Sequence, residues 1–231
     1  MSLIRKAFQR LHYPTEIIAQ CVRWYLTYSL SLRDLEEMMA ERGIDVDHAT
    51  LHRWVLRLVP AMANAARRYK RPISQKWHID ETYIKIKGQW RYLYRAIDST
   101  GHTVDFLLTA KRDVTAARRF FKQAISRHPC PLTVTLDKSG SNRKAIDSFN
   151  AGFKRYKPVT IRQNKYLNNR IEQDHRFIKR RTRAMLGFKT FRSAQILLSG
   201  IELMHMFRKG QFALSKDGSL PPTAQYYALI A

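Results

Sequence analysis

The hydrophobic period of the chain changes from helical to strand-like near Pro72. From Thr15 to Leu58 apolar residues recur at helical spacing in three blocks, Ile17 to Tyr25, Leu32 to Met39 and Leu51 to Val59. Ser31 is placed to cap the second block, Gly43 to stop it, and Asp47 or Thr50 to cap the third. Past residues 60–75, a linker-like stretch holding a basic cluster and Pro72, the period drops to two. KWHIDETYIKI, WRYLYRAID and HTVDFLLTA read as three strands joined by hairpin-length turns at Lys87-Gly88-Gln89 and Ser99-Thr100-Gly101. A helical stretch from Val114 to Ser126 leads to LTVTLD, another around Arg143 to Phe153 leads to VTIRQ, and helices follow over 168–184 and 193–208.

The order β-β-β-α-β-α-β-α predicts an α/β fold. Three antiparallel strands and two crossover strands form a mixed sheet flanked by helices, and an all-α domain precedes it. The expected divisions are a helical domain and linker over 1–72, a sheet domain over 73–210 and a mostly irregular tail over 211–231. Within the first domain, two helices and a short turn before a helix carrying His52, Arg53 and Arg57 fit a DNA-binding helix-turn-helix; an ordinary three-helix packing domain fits the same pattern.

Charge narrows the partners. The chain has 42 Lys and Arg against 18 Asp and Glu, a net charge of +24, and such an excess is relieved by a polyanion. Residues 138–231 alone hold 19 basic and 5 acidic groups. The run 154–183 holds 11 basic and 2 acidic, too few acids for the i,i+4 pairing of an ordinary solvated helix. Double-stranded DNA is the expected partner, with phosphate contacts from Arg176, Lys179, Arg180, Arg181 and Arg183. Two cysteines, Cys21 and Cys130, without a Cys-x-x-Cys pair, indicate neither a disulfide framework nor a zinc site. MSLIRKAFQRL has no signal-peptide core, and the apolar stretch 196–207 is broken by Glu202 and His205. The expectation is a cytoplasmic, DNA-associated protein with no membrane partner.

Three carboxylates take notable positions: Asp80 inside the first strand, Asp137 at the carboxyl end of the fourth, and Glu172 in the first turn of the following helix. If the first and fourth strands are neighbours, Asp80 and Asp137 lie side by side, and the helix can bring Glu172 to the same point. Hard carboxylate oxygens suit Mg²⁺ or Mn²⁺, and two such ions about 4 Å apart support in-line phosphoryl transfer. Glu81 points to the opposite sheet face in a regular strand and is left out. His78 shares a face with Asp80, and His175, one turn from Glu172, is expected beside the metal ligands rather than among them. Asp98, Asp105 and Asp113 read as structural, and Asp174 as facing away from Glu172. Trp77, Trp90, Tyr92 and Tyr94 read as core packing rather than base stacking.

The stretches 77–106, LDKSGSN, NKYLNNRIEQDHRFIKRR, LGFKTF, RWY and HATLHRWV together resemble the DDE transposases of bacterial insertion sequences, nearest to the insertion-sequence-six family. The resemblance implies an RNase H-like catalytic core and Asp80, Asp137 and Glu172 as catalytic metal ligands. It also implies Mg²⁺ as cofactor with Mn²⁺ substituting, and Lys179, seven residues after Glu172, as a contact to the transposon end. Binding of terminal inverted repeats, cleavage and strand transfer, and a homo-oligomeric active complex follow from it too. Two rivals remain at this point: a catalytically inactive transposase-derived DNA-binding regulator, and a hydrolytic RNase H-like nuclease.

Overall fold

Capping and burial together set the helical elements. The computed structural model describes residues 3–137, 140–152, 157–163, 169–185, 187–214 and 220–230, and the chain divides into two compact units, Met1–Arg71 with Phe177–Ala231, and Pro72–Arg176. In the first unit, α1 (Leu3–Phe8) and α2 (Thr15–Thr27) precede α3 (Leu32–Ala40). A capping box opens α3: the Ser31 hydroxyl accepts from the Asp34 N–H while the Asp34 carboxylate accepts from the Ser31 N–H. Asp47 caps α4 (His48–Ala66) by accepting from the N–H groups of Ala49 and Thr50. A 3₁₀ turn, Arg67–Tyr69, ends that run.

The same unit contains α8 (Phe191–Arg208) and α9 (Pro222–Ile230). Gly200 on α8 lies against Leu26 of α2 and Val59 of α4. The α9 helix corrects the expectation of a mostly irregular tail. Pro222 at its first position needs no N–H donor, and Tyr226 and Leu229, three apart, are buried on one face. The Tyr226 hydroxyl donates to the Ala19 carbonyl at 2.9 Å, which fixes α9 on α2.

The second unit is built on a five-stranded sheet: β1 (Lys76–Ile86), β2 (Gln89–Asp98), β3 (Thr103–Thr109), β4 (Thr133–Leu136) and β5 (Thr160–Gln163). Its spatial order is β3-β2-β1-β4-β5. The first three strands are antiparallel, and β4 and β5 add in parallel, which is the predicted mixed sheet. Lys87 and Gly88, at φ 47° and 75°, make a two-residue turn between β1 and β2, a conformation that suits glycine and matches the strand twist. Helices α5 (Val114–Arg127) and α6 (Gly140–Gly152) cover one face, packing Phe120, Phe121, Ile146 and Phe149 on Trp77, Ile79, Tyr94 and Val134. The first turns of α7 (Asn169–Ala184) supply partners to the other face, as the site below shows.

The three aspartates read as structural are structural. Asp98, buried beside the β2–β3 turn, accepts from the N–H groups of Ser74, Thr100 and His102 and from the Thr100 hydroxyl. Asp105 accepts from Arg127 and Gln123, and Asp113 caps α5. No helix among the described residues is long and apolar enough to cross a membrane.

Candidate active site

The register of two parallel strands creates the site. Ile79 pairs with Leu136 as the last matched positions of β1 and β4, so Asp80 and Asp137 are the next residue on each chain. Asp137 leaves the sheet where β4 ends, and its carboxylate turns back toward Asp80. Carboxylate oxygens of Asp80, Glu81 and Asp137 all lie within 4.8 Å of one another. An octahedral Mg²⁺ with bonds of about 2.0–2.1 Å sets neighbouring oxygens about 2.9 Å and opposite ones about 4.2 Å apart, so the carboxylates draw closer to share one ion. The donor set is hard oxygen and negatively charged, and it fits a divalent cation.

Electrostatics point the same way. Burial, with the charges of Asp137, Glu81 and Glu172 added, pushes the Asp80 carboxyl up to about 7 against the pull of the Glu81 N–H. Burial raises Glu81 as well, opposed by Arg112. Arg112 donates from Nε to Glu81 at 3.2 Å and holds Nη2 3.7 Å from the Asp137 carboxylate. Asn142 donates to the other Glu81 oxygen at 3.0 Å.

Glu81 keeps the sheet face opposite Asp80, across from Tyr94 of β2, yet its carboxylate joins the cluster that the sequence reading left it out of. Burial along β1 falls on odd positions at Trp77 and Ile79 and on even positions at Thr82, Ile84 and Ile86. The two acids sit at the inversion, just past the end of β4, where the longer Glu81 side chain reaches around toward Asp137. Arg112 was missed for a related reason: Asp113 caps α5, and that cap fixes Arg112 at the junction of β3 and α5, a placement that sequence spacing does not reveal.

Glu172 stands in the first turn of α7 and is exposed. It is outside the three-carboxylate cluster, yet its charge contributes to the raised Asp80 carboxyl. One turn on, His175 is buried with Nδ1 3.6 Å from the Asp80 carboxylate. Asp174 points elsewhere, into an ion pair of 2.5 Å with the fully buried Arg95 of β2. His78, two residues before Asp80, is half-buried.

The expected DNA contacts separate into two groups. Arg176, Lys179, Arg180 and Arg183 are exposed on α7. Arg181 is not: it is buried, donates twice to the Thr27 carbonyl at 3.0 and 2.8 Å, and stacks its guanidinium 4.0 Å from the Phe177 ring centre. Its placement at a DNA surface is corrected, because the helical period turns it inward three residues after the buried Ile178. On α4, Arg53 is exposed and donates to the Thr50 hydroxyl, while Arg57 donates to the carbonyls of Lys6 and Gln9 at the end of α1. His52 is half-buried, and burial, with the charge of Lys189, lowers its pKa. Positions 154–156 and 164–168 of the basic run lie outside the described residues.

A family model described as a DDE domain matches residues 74–211, and a second, described as Transposase IS66 family, matches 10–131. The transposase for insertion sequence-like element IS431mec from Staphylococcus aureus is 40% identical over 216 residues, covering 93% of this chain and 94% of that protein. The chain belongs to the DDE transposases. A second relative, the Staphylococcus aureus transposase for insertion sequence element IS257 in transposon Tn4003, is 39% identical over the same length. The transposase also bears a likeness, at TM-score 0.44 and 15% identity, to the HTLV-2 integrase catalytic core domain in complex with magnesium, covering 68% of this chain and 99% of that one. The expected transposase of an insertion sequence is thus what the chain is, and neither the regulator nor the plain nuclease finds support.

Proposed function

We propose that this transposase binds the terminal inverted repeats of its insertion sequence and cuts and rejoins DNA at the Asp80–Asp137 centre with Mg²⁺, or Mn²⁺ in its place. The observation that carries the reading is the convergence of carboxylates where β4 ends beside the parallel β1, with burial and the neighbouring charges raising Asp80 to about 7. Asp80 and Asp137 are the metal ligands. Glu172 is the third, because it is exposed and its charge already reaches Asp80, whereas both Glu81 oxygens have donors in Arg112 and Asn142.

Asp80, Asp137 and Glu172 would hold the divalent ions, which would supply activation of an attacking oxygen and charge neutralisation at the phosphate. The chain's own residues arrange the rest. Arg112 and Asn142 hold Glu81 and keep the floor of the site rigid, and His175 sits beside Asp80 to orient it. Lys179, two helical turns beyond Glu172, takes a phosphate further along the strand. The helices of residues 1–72 read the repeat ends through a helix-turn-helix, and a homo-oligomer holds two ends for joining in the bacterial cytoplasm.

The test is strand transfer by the purified protein on DNA bearing the repeats that flank its gene. Joined products should require Mg²⁺ or Mn²⁺ and disappear in Asp80→Asn, Asp137→Ala and Glu172→Gln, while Glu81→Gln retains measurable joining. A second assignment has one observation in its favour, the inclusion of Glu81 in the cluster. Loss of joining in Glu81→Gln with retention in Glu172→Gln would establish Glu81 as the third ligand instead.

A further inference from the structure

The β1–β2 hairpin carries a row of side chains that continues past the acidic centre. On the face that begins as core, paired positions run Ile79 with Ala96, Glu81 with Tyr94, Tyr83 with Tyr92, and Lys85 with Trp90. Cover ends along this row. Tyr94 is fully buried, Tyr92 half-buried, and Tyr83 and Trp90 are 47% and 59% exposed, Trp90 being the most exposed of the large hydrophobic side chains among the described residues. This revises the core-packing reading of the aromatics: it holds for Trp77 and Tyr94 and fails for Trp90.

The exposed rings form one cluster. Tyr83 meets Trp90 edge-on with centroids 6.2 Å apart and meets Tyr92 at 5.4 Å, and the Lys85 ammonium lies 5.9 Å from the Trp90 ring centre. Every charged group from Tyr83 to Tyr92 is a cation: Lys85, Lys87 and Arg91. An aromatic platform edged by cations and free of acids matches the stacking surfaces that hold unpaired nucleotides.

We propose that Tyr83, Trp90 and Lys85 form a binding site for unpaired bases of DNA, next to the catalytic centre. Tyr83 is two residues from Glu81 on the same face, roughly 7 Å along the strand, which is on the order of two nucleotide steps at about 3.4 Å each. A base stacked there belongs to the strand whose phosphate reaches the carboxylates. A second copy of the chain is a poorer occupant. A two-fold contact through this patch sets Lys85 and the neighbouring Lys87 of the turn against their own images, where like charges repel. The site deepens the proposed function, and rests on it only for the location of the reacting phosphate.

The experiment measures binding of a labelled single strand and of the matching duplex to the full-length protein in chelator, so that it does not depend on metal or catalysis. Trp90→Ala and Tyr83→Ala should each weaken single-strand binding roughly 5- to 150-fold, the range for losing one stacked base, with duplex binding nearly unchanged. Trp90→Phe keeps most of the affinity, whereas Trp90→Leu, apolar but without a π face, loses it. Full single-strand affinity in Trp90→Ala or Trp90→Leu overturns the proposal, as does equal weakening of single strand and duplex. Loss of self-association with unchanged DNA binding would assign the patch to a second copy.

Discussion

Asp80 keeps its proton up to about pH 7 in the folded chain, whereas in the unfolded chain it titrates near its ordinary 3.8. Between those values the folded state binds a proton that the unfolded state has released, so stability falls as pH rises through this window and stays reduced above it. The metal-free protein should therefore lose melting temperature between about pH 4 and pH 7, and Asp80→Asn, which has no such proton, should flatten that part of the curve. Mg²⁺ requires the ionised carboxylate, so its stabilisation should grow over the same interval. Calorimetric melts at both pH values, with and without the ion, check the pair of effects; an unchanged slope in Asp80→Asn would refute the assignment. Asp80 and Asp137 were legible from sequence because strand order alone makes them neighbours. Glu81 was not, since alternation gives the face of its backbone but does not show that its longer side chain reaches past the end of β4 to Asp137. Arg181 was hidden likewise: nothing in a run of basic residues distinguishes the one that bonds to Thr27 from those facing solvent.

At the level of elements, packing decides what pattern cannot. Gly200 stands inside the continuous α8, where alanine is normally the better helix former by about 1 kcal/mol. A Cβ there would stand 2.8 and 2.9 Å from the two Leu26 methyls and 3.0 Å from a Val59 methyl, so the glycine marks where α8 meets α2 and α4 at close range. Overpacking costs about 1–3 kcal/mol, which outweighs the propensity gain. Gly200→Ala should lose about 1 kcal/mol and Gly200→Val more, because its branched methyls add bulk without restoring propensity. Urea denaturation reads both, and a stabilised Gly200→Ala would show that Leu26 turns aside freely. The strands were readable nearly to the residue, since β-branched and aromatic runs are bounded by short turns, one of them of two residues. The last helix escaped because two prolines precede a short apolar segment, and only burial of Tyr226 against α2 makes that segment worth ordering.

The excess of +24 belongs to the whole molecule, but not every basic residue takes part in DNA binding. A protein contacting about 6 to 10 phosphates loses roughly 10³ to 10⁵ in affinity between 50 and 200 mM salt, and each contact removed lowers the slope of log affinity against log salt by about 0.9. Exposure sorts the cations of α7 into those that act on that slope and one that does not. Lys179→Ala, Arg180→Ala and Arg183→Ala should each reduce the slope by about 0.9 and leave the urea midpoint near the native value. Arg181→Ala should do the reverse, keeping the slope while costing about 2 kcal/mol of stability, because it removes two charge-assisted hydrogen bonds to a buried carbonyl. Salt titrations of duplex binding beside urea melts separate the two behaviours. A reduced slope in Arg181→Ala at unchanged stability would return that residue to the DNA surface and show that the Thr27 contact gives way when phosphate arrives. The placement of charge would then depend on the bound state rather than on the fold alone.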